Sequence, residues 1–349
     1  MRLCVRRELR YHEGPSPLRP PSLLSAVLVL PVHTLVVRTS LTLVNVALAA
    51  CLAAVLWPTE TEAVQAPPRS LLDTPTPWGP PTWFPEATAD SLWVLPELDA
   101  PAVHDRGPRH RAQSVIVADL DRGEVLFARR ADELRPVASL TKLVSGLALA
   151  STEPDLDREL CVSKAEWPSR SGARSRFETG VCHDGHEWLG AALVASDNRG
   201  AMGLASLSGL EYESFLDRMS EVSHDLRLLG DTWSDPSGLE DDNMATARDM
   251  LKAVVAVANH PQLQPAASAP SWRLDRRKGP HVLGSTNRLV RRYETLAAKT
   301  GYTDTARYCF ATVVRTDEGR TLAVAVLGAP TSSSRFTDTA NLIRWAEEH

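Results

Sequence analysis

Ser139-Leu140-Thr141-Lys142, Ser196-Asp197-Asn198 and Lys299-Thr300-Gly301 follow one another in that order along a chain of 349 residues. A serine hydroxyl is a weak nucleophile near neutral pH and needs a base within hydrogen-bond reach. On a helix, residues i and i+3 share a face, so Ser139 and Lys142 would project together. Leu143, Leu147 and Ala150 continue at spacings of three and four, which gives the same helix an apolar stripe to bury. Burial disfavours the charged ammonium and lowers a lysine pKa, which makes Lys142 a candidate base. Together the three strings have the form of a serine acyl-transfer site that uses lysine where histidine is commoner.

The other two strings must then supply binding groups. Ser196 and Asn198 close the apolar stretch Trp188 to Ala195 and suit a loop whose side chains point into a cleft. Ser196 can relay a proton there, and the Asn198 amide offers both a donor and an acceptor to a peptide. Lys299 ends a strand-like segment, with Thr300 as a hydroxyl for a substrate carboxylate and Gly301 to let a ligand backbone approach. Taken singly, these strings also read as a surface helix, a helix cap and a strand edge beside a turn glycine. Their joint occurrence carries the inference.

Spaced 57 and 103 residues apart, the strings resemble the penicillin-binding serine D-Ala-D-Ala peptidases and the related serine β-lactamases. Asp235-Pro-Ser-Gly-Leu239, Asn243-Met-Ala-Thr-Ala-Arg-Asp249 and Lys299-Thr-Gly-Tyr-Thr303 are similar to the wording of the low-molecular-mass D-alanyl-D-alanine carboxypeptidases. Ser285-Thr-Asn-Arg-Leu289 and Arg335 to Trp345 lean toward the endopeptidase branch. A class A β-lactamase needs a glutamate to direct water onto the acyl-enzyme. The stretch Trp233 to Leu239 has no Glu-x-x-x-Asn pattern, which favours a peptidase.

The resemblance implies roles for individual residues. Ser139 would be the nucleophile, Lys142 the acylation base and Ser196 the relay toward the leaving amine. Asn198 would hold the substrate backbone, and Lys299 with Thr300 its terminal or amide carbonyl end. The backbone N–H groups of Ser139 and Tyr302, next to Gly301, would form an oxyanion hole. Peptidoglycan stem peptides would be the substrate and β-lactams covalent inhibitors, and no metal or organic cofactor is needed. A penicillin-binding cell-wall protein with little turnover, or a serine β-lactamase, is the alternative. One departure stands out: where the family has Ala-Gly before a cysteine, this chain has Ala306-Arg307-Tyr308-Cys309, which places an arginine beside the strand of Lys299.

The net charge is -5, so no basic surplus points to nucleic acid. Eleven prolines fall between Pro58 and Pro108, a composition that predicts an extended tether over 58–109. Upstream, Leu41 to Trp57 is an apolar run of 17 residues behind Arg38, long for a signal core and short for a membrane span. Residues 1–57 are therefore expected to export or anchor the protein, which places it in the periplasm or cell envelope. Val64-Gln65-Ala66 offers a cleavage site, Leu48 to Cys51 has the shape of a lipoprotein box, and a true start near Arg38 would explain the first 36 residues. The catalytic domain is expected over 110–349.

Five cysteines are too few for a disulfide scaffold. Cys161 and Cys182 are the pair expected to bridge in an oxidising compartment, and Cys309 is expected to be a buried thiol. Cys182-His183-Asp184-Gly185-His186 lacks a second ligand set at metal spacing and is expected to be a surface loop. Turn signals at Asp121-Arg-Gly123 and Asp317-Glu-Gly-Arg320 predict hairpins over 114–128 and 308–327. Helical patterns cover 139–151, about 186–207, 211–226, 246–258 and about 335–348, the last with Phe336, Ala340, Ile343 and Ala346 inward. Strands at both ends with helices between them predict an α+β fold: an antiparallel sheet flanked by helices, plus a helical lobe, as in the β-lactamase and DD-peptidase family.

Overall fold

Two tight turns set up the sheet. Gly123 and Gly319 take φ of 66° and 85°, a conformation glycine adopts without steric cost, and each closes an antiparallel hairpin. A computed structural model describes residues 96–163 and 175–349 of the chain. The first hairpin joins β1 (Ser114–Asp119) to β2 (Glu124–Arg129). Strand β3 (Glu294–Thr303) leads into the second, made of β4 (Arg307–Arg315) and β5 (Thr321–Ala329). β1 pairs antiparallel with β5, so the five strands run in the order β2-β1-β5-β4-β3. The first and last strands of the described residues are thus brought together in one sheet, as the hairpin pattern predicts.

β1 and β5 are buried along their whole length, because helices cover both faces. Successive strand residues point to opposite sides. Ile116, Ala118, Ala323 and Ala325 join one apolar cluster with α5 (Ala247–Asn259), the short α6 (Gln264–Ser268) and the helical lobe. Val115, Val117, Val324 and Val326 join another with Leu342, Ile343 and Ala346 of the C-terminal helix α7 (Ser332–Glu347). Phe336, Ala340, Ile343 and Ala346 are all buried, which matches the inner face read from the sequence.

The lobe centres on α1 (Thr141–Ala150), all ten of whose residues are buried. An apolar stripe predicts only one covered face. The helix is enclosed instead, by α2 (Gly185–Leu193), α3 (Asn198–Leu207), α4 (Tyr212–Asp225) and α5. The single helix expected over 186–207 is broken in two: Ser196 takes a left-handed φ of 57°, and Asp197 caps α3 by accepting from the N–H groups of Arg199 and Gly200. Ser196 and Asn198 therefore sit on a corner between two helices.

Cys161 and Cys182 form a disulfide across a short ladder, and Cys309 is a buried free thiol. The segment from Cys182 to His186 is not the surface loop expected. Asp184 caps α2, and His183 is buried edge-on against Phe177 and Trp188. Among the described residues no group of His, Cys, Asp or Glu is placed to hold a metal ion.

Residues 96–109, read from their prolines as part of the tether, lie on the folded domain. Leu98 is buried, and the N–H groups of Val103 and His104 donate to Val125 and Leu126 of β2, so backbone pairing wins over the proline content. The export segment, Cys51, the Val64–Ala66 cleavage box and the rest of the tether lie outside the described residues. No helix among the described residues is long and apolar enough to cross a membrane.

Candidate active site

Ser139 lies in a single 3-10 turn, Ala138–Leu140, that runs directly into α1. Ala138 before it takes a left-handed φ of 50°, backbone strain of the kind stored where geometry must be fixed. Its neighbours leave no room for side chains. A Cβ on Gly301 would come within 2.7 Å of the Val137 carbonyl oxygen, and one on Gly238, at φ 77°, within 2.0 Å of that of Ala138. Both glycines are therefore required where the end of β3 and the 235–239 loop press on the turn bearing Ser139.

Lys142 is fully buried, and its Nζ lies 2.8 Å from Ser139 Oγ, 2.8 Å from Asn198 Oδ1 and 2.5 Å from the Ser237 carbonyl oxygen. Burial lowers its pKa from 10.5 to about 7, against the opposing pull of Asp235 and then Asp197. At that value a large share of the amine is neutral. A neutral amine has two N–H donors and one lone pair. With Asn198 and Ser237 taking the two donors, the lone pair is left to face the hydroxyl of Ser139.

The Ser237 carbonyl is a partner that the sequence did not single out. Asp235 fixes it: its carboxylate accepts from the N–H groups of Ser237, Gly238 and Glu240, an Asx-type turn. Asn243 locks the same loop by accepting from Ser234 N–H and donating to the Asp235 carbonyl and Thr141 Oγ1. Ser145, one turn along α1 from Lys142, donates to Pro236 O at 2.6 Å. The Asp-Pro-Ser-Gly string entered the sequence reading only through its resemblance to the family's wording, because a backbone oxygen has no sequence letter of its own.

Lys299 is the second buried amine, with its Nζ 2.7 Å from Ser196 Oγ and 2.9 Å from the Thr300 carbonyl oxygen. Burial holds its pKa well below the usual range, and the nearby charges of Lys142 and Arg335 push the same way. Thr300 Oγ1 meets Thr286 Oγ1 at 2.7 Å, a contact also absent from the sequence argument. Arg335 of α7 lies beneath the strand, donates to the Gly301 carbonyl at 2.9 Å and stacks against Tyr308 and Phe336. The fold therefore brings all eight sequence-derived site residues to one place, around the turn at Ser139, the corner at Ser196 to Asn198 and the end of β3.

Residues 101–331 match the family described as D-alanyl-D-alanine carboxypeptidase. The chain belongs to this family. A D-alanyl-D-alanine endopeptidase of Pseudomonas aeruginosa is 30% identical over 239 residues, which cover 67% of this chain and 76% of that protein. One from Escherichia coli is 28% identical over 250 residues, covering 69% and 78%. Among solved structures, the D-alanyl-D-alanine carboxypeptidase of Mycobacterium tuberculosis aligns with a TM-score of 0.65 at 25% identity, over 71% of this chain and 96% of that one.

Two side chains, Tyr302 and Arg307, stand at the mouth of the site. Tyr302 is 48% exposed, stacks on Tyr308 with ring centroids 4.3 Å apart, and donates to Asp304 at 2.6 Å, which pushes its hydroxyl pKa up to about 12. Arg307 has φ 60°, a left-handed conformation that suits glycine and that arginine occupies under strain. Its side chain is exposed at the tip of the β3–β4 hairpin, where Asp241 also accepts from the hydroxyls of Thr303 and Thr305.

Proposed function

We propose that the chain is a serine-type D-Ala-D-Ala peptidase of peptidoglycan that works through an acyl-Ser139 intermediate. Lys142 takes the hydroxyl proton as Ser139 Oγ attacks the carbonyl carbon of the scissile amide. The developing oxyanion is received by the backbone N–H groups of Ser139 and Tyr302. The proton taken up by Lys142 passes through Ser196, which is held by Lys299, to the departing amine, so that Lys142 is neutral again and can serve as base when water releases the acyl group. Asn198 and Thr300 align the peptide, while Lys299 supplies positive charge toward its carboxylate or carbonyl end. The observation that carries this proposal is the buried amine of Lys142 at 2.8 Å from Ser139 Oγ.

Of the two bonds such enzymes cut, the cross-link is the proposed target, because the relatives at 30% and 28% identity are named endopeptidases. The workplace is the cell envelope, with the apolar run from Leu41 to Trp57 as signal or anchor. A fluorescent penicillin should label the full chain covalently, and Ser139→Ala should abolish the label. Incubation with a cross-linked muropeptide and with a pentapeptide monomer then reads the bond preference. Persistent labelling of the Ser139→Ala variant would refute the assignment.

A further inference from the structure

We propose that a groove at the far edge of the sheet is an accessory site for the anionic stem peptides of polymeric peptidoglycan. This inference rests on the substrate class just argued and adds a second point of contact with it. The groove has a volume of about 980 Å³ and lies between the 105–113 segment, the end of β2 and the start of α7. Its floor includes Phe127, and its rim carries Arg106, Arg109, Arg111, Arg129 and Arg130. Arg130 is paired with Glu133. The other four guanidinium groups are exposed and have no carboxylate within ion-pair distance among the described residues. Two acids also line the groove. Asp338 is buried and spent on the backbone N–H groups of Arg111 and Ala112, which leaves Asp105 as the one acidic side chain exposed in the groove.

Four arginines lining one groove in a chain of net charge -5, with no ion-pair partner among the described residues, form a local cationic field. Arginine's planar fork favours carboxylate in a two-pronged grip, and uncross-linked stem peptides present carboxylates at every repeat. A concave groove with an apolar floor suits a strand; a flat bilayer would meet a convex surface better. Register gives the separation of the two places across the sheet. Lys299, Ala311, Ala325, Ile116 and Ala128 lie on one row across the sheet, so Arg129 sits next to the far end of the row that begins at Lys299. Four strand spacings separate them, roughly 19 Å. Arg129, paired with Val115, points to the α7 side of the sheet and the row of Lys299 points to the helical lobe, so the groove lies outside the acylation site, at the other edge and on the other face.

The test compares the full chain with a variant carrying Arg106→Gln, Arg109→Gln, Arg111→Gln and Arg129→Gln. Penicillin labelling and cleavage of a soluble muropeptide dimer should be unchanged, since neither reaches the groove. Co-sedimentation with purified sacculi should weaken about thirtyfold, from four exposed contacts each worth a factor of about two to three. Release of soluble products from sacculi should fall with it, and the wild-type advantage should vanish in high salt. Equal sacculus binding by the two proteins would overturn the proposal. So would parallel loss of activity on the soluble dimer, or a loss confined to vesicles of anionic phospholipid. Failure of the wild type to label or to cleave any muropeptide would instead strike the peptidase assignment itself.

Discussion

The pH dependence of acylation is set by one amine. Lys142 has a pKa near 7 because burial strips water from its ammonium form, an effect larger than the attraction of Asp235 and Asp197. Only the neutral amine accepts the proton of Ser139. At pH 5.5 about 3% of molecules hold it neutral and at pH 8 about 90%, so the second-order rate of penicillin labelling should rise about thirtyfold and then level off. A lysine left at 10.5 would be about 0.3% neutral at pH 8, and its rate would climb tenfold per pH unit without a plateau. The assay is stopped-time labelling with a fluorescent penicillin between pH 5 and 9, quantified on gels. A rate still climbing tenfold per unit above pH 8.5 would refute the claim that desolvation tunes this base. Lys142→Arg, which keeps the charge and cannot give up its proton, should lose a factor of about 10² to 10⁴ at every pH.

Gly301→Ala should leave the fold standing but cut the labelling rate severely, because its Cβ would press within 2.7 Å of the Val137 carbonyl and move the turn bearing Ser139. Thermal denaturation beside the labelling assay separates that from unfolding. Replacing Cys161 and Cys182 by serine should lower stability by about 3 kcal/mol, the loop-closure entropy for a separation of 21 residues, read from urea melts. Arg307→Gly should raise stability by about 1 kcal/mol in the same melts, since φ 60° strains arginine and suits glycine.

The parts of the fold that follow hydrophobic period and turn chemistry were legible in the sequence. The two hairpins, the buried face of α7 and the joining of the first and last strands all follow from them. The break at Ser196 was not legible as a break. The apolar run Trp188 to Ala195 continues smoothly into Arg199 to Leu207, and only the capping of α3 by Asp197 interrupts it. The docking of 96–109 was hidden because proline counts weigh against order, whereas two backbone bonds to β2 and the burial of Leu98 decide it. At the site, the three strings and the resemblance they carry singled out the eight residues brought together near Ser139, but not Ser145, Thr286 or Arg335, which hold the surrounding loop and strand. They could not give the Ser237 carbonyl that holds Lys142, because backbone geometry emerges only once Asp235 and Asn243 have closed their loop.

The pairing of β1 with β5 joins residues separated by roughly 200 positions, Ser114 opposite Leu327. Contacts so remote in sequence form late and slowly. Lys299 rides on β3, an edge strand whose one strand partner is β4; β4 pairs in turn with β5, itself held by a strand from the other end of the domain. A chain still emerging from a ribosome or threading through a translocation pore therefore has no working catalytic centre. The centre that joins Ser139 to Lys299 is complete only once the final strand has paired.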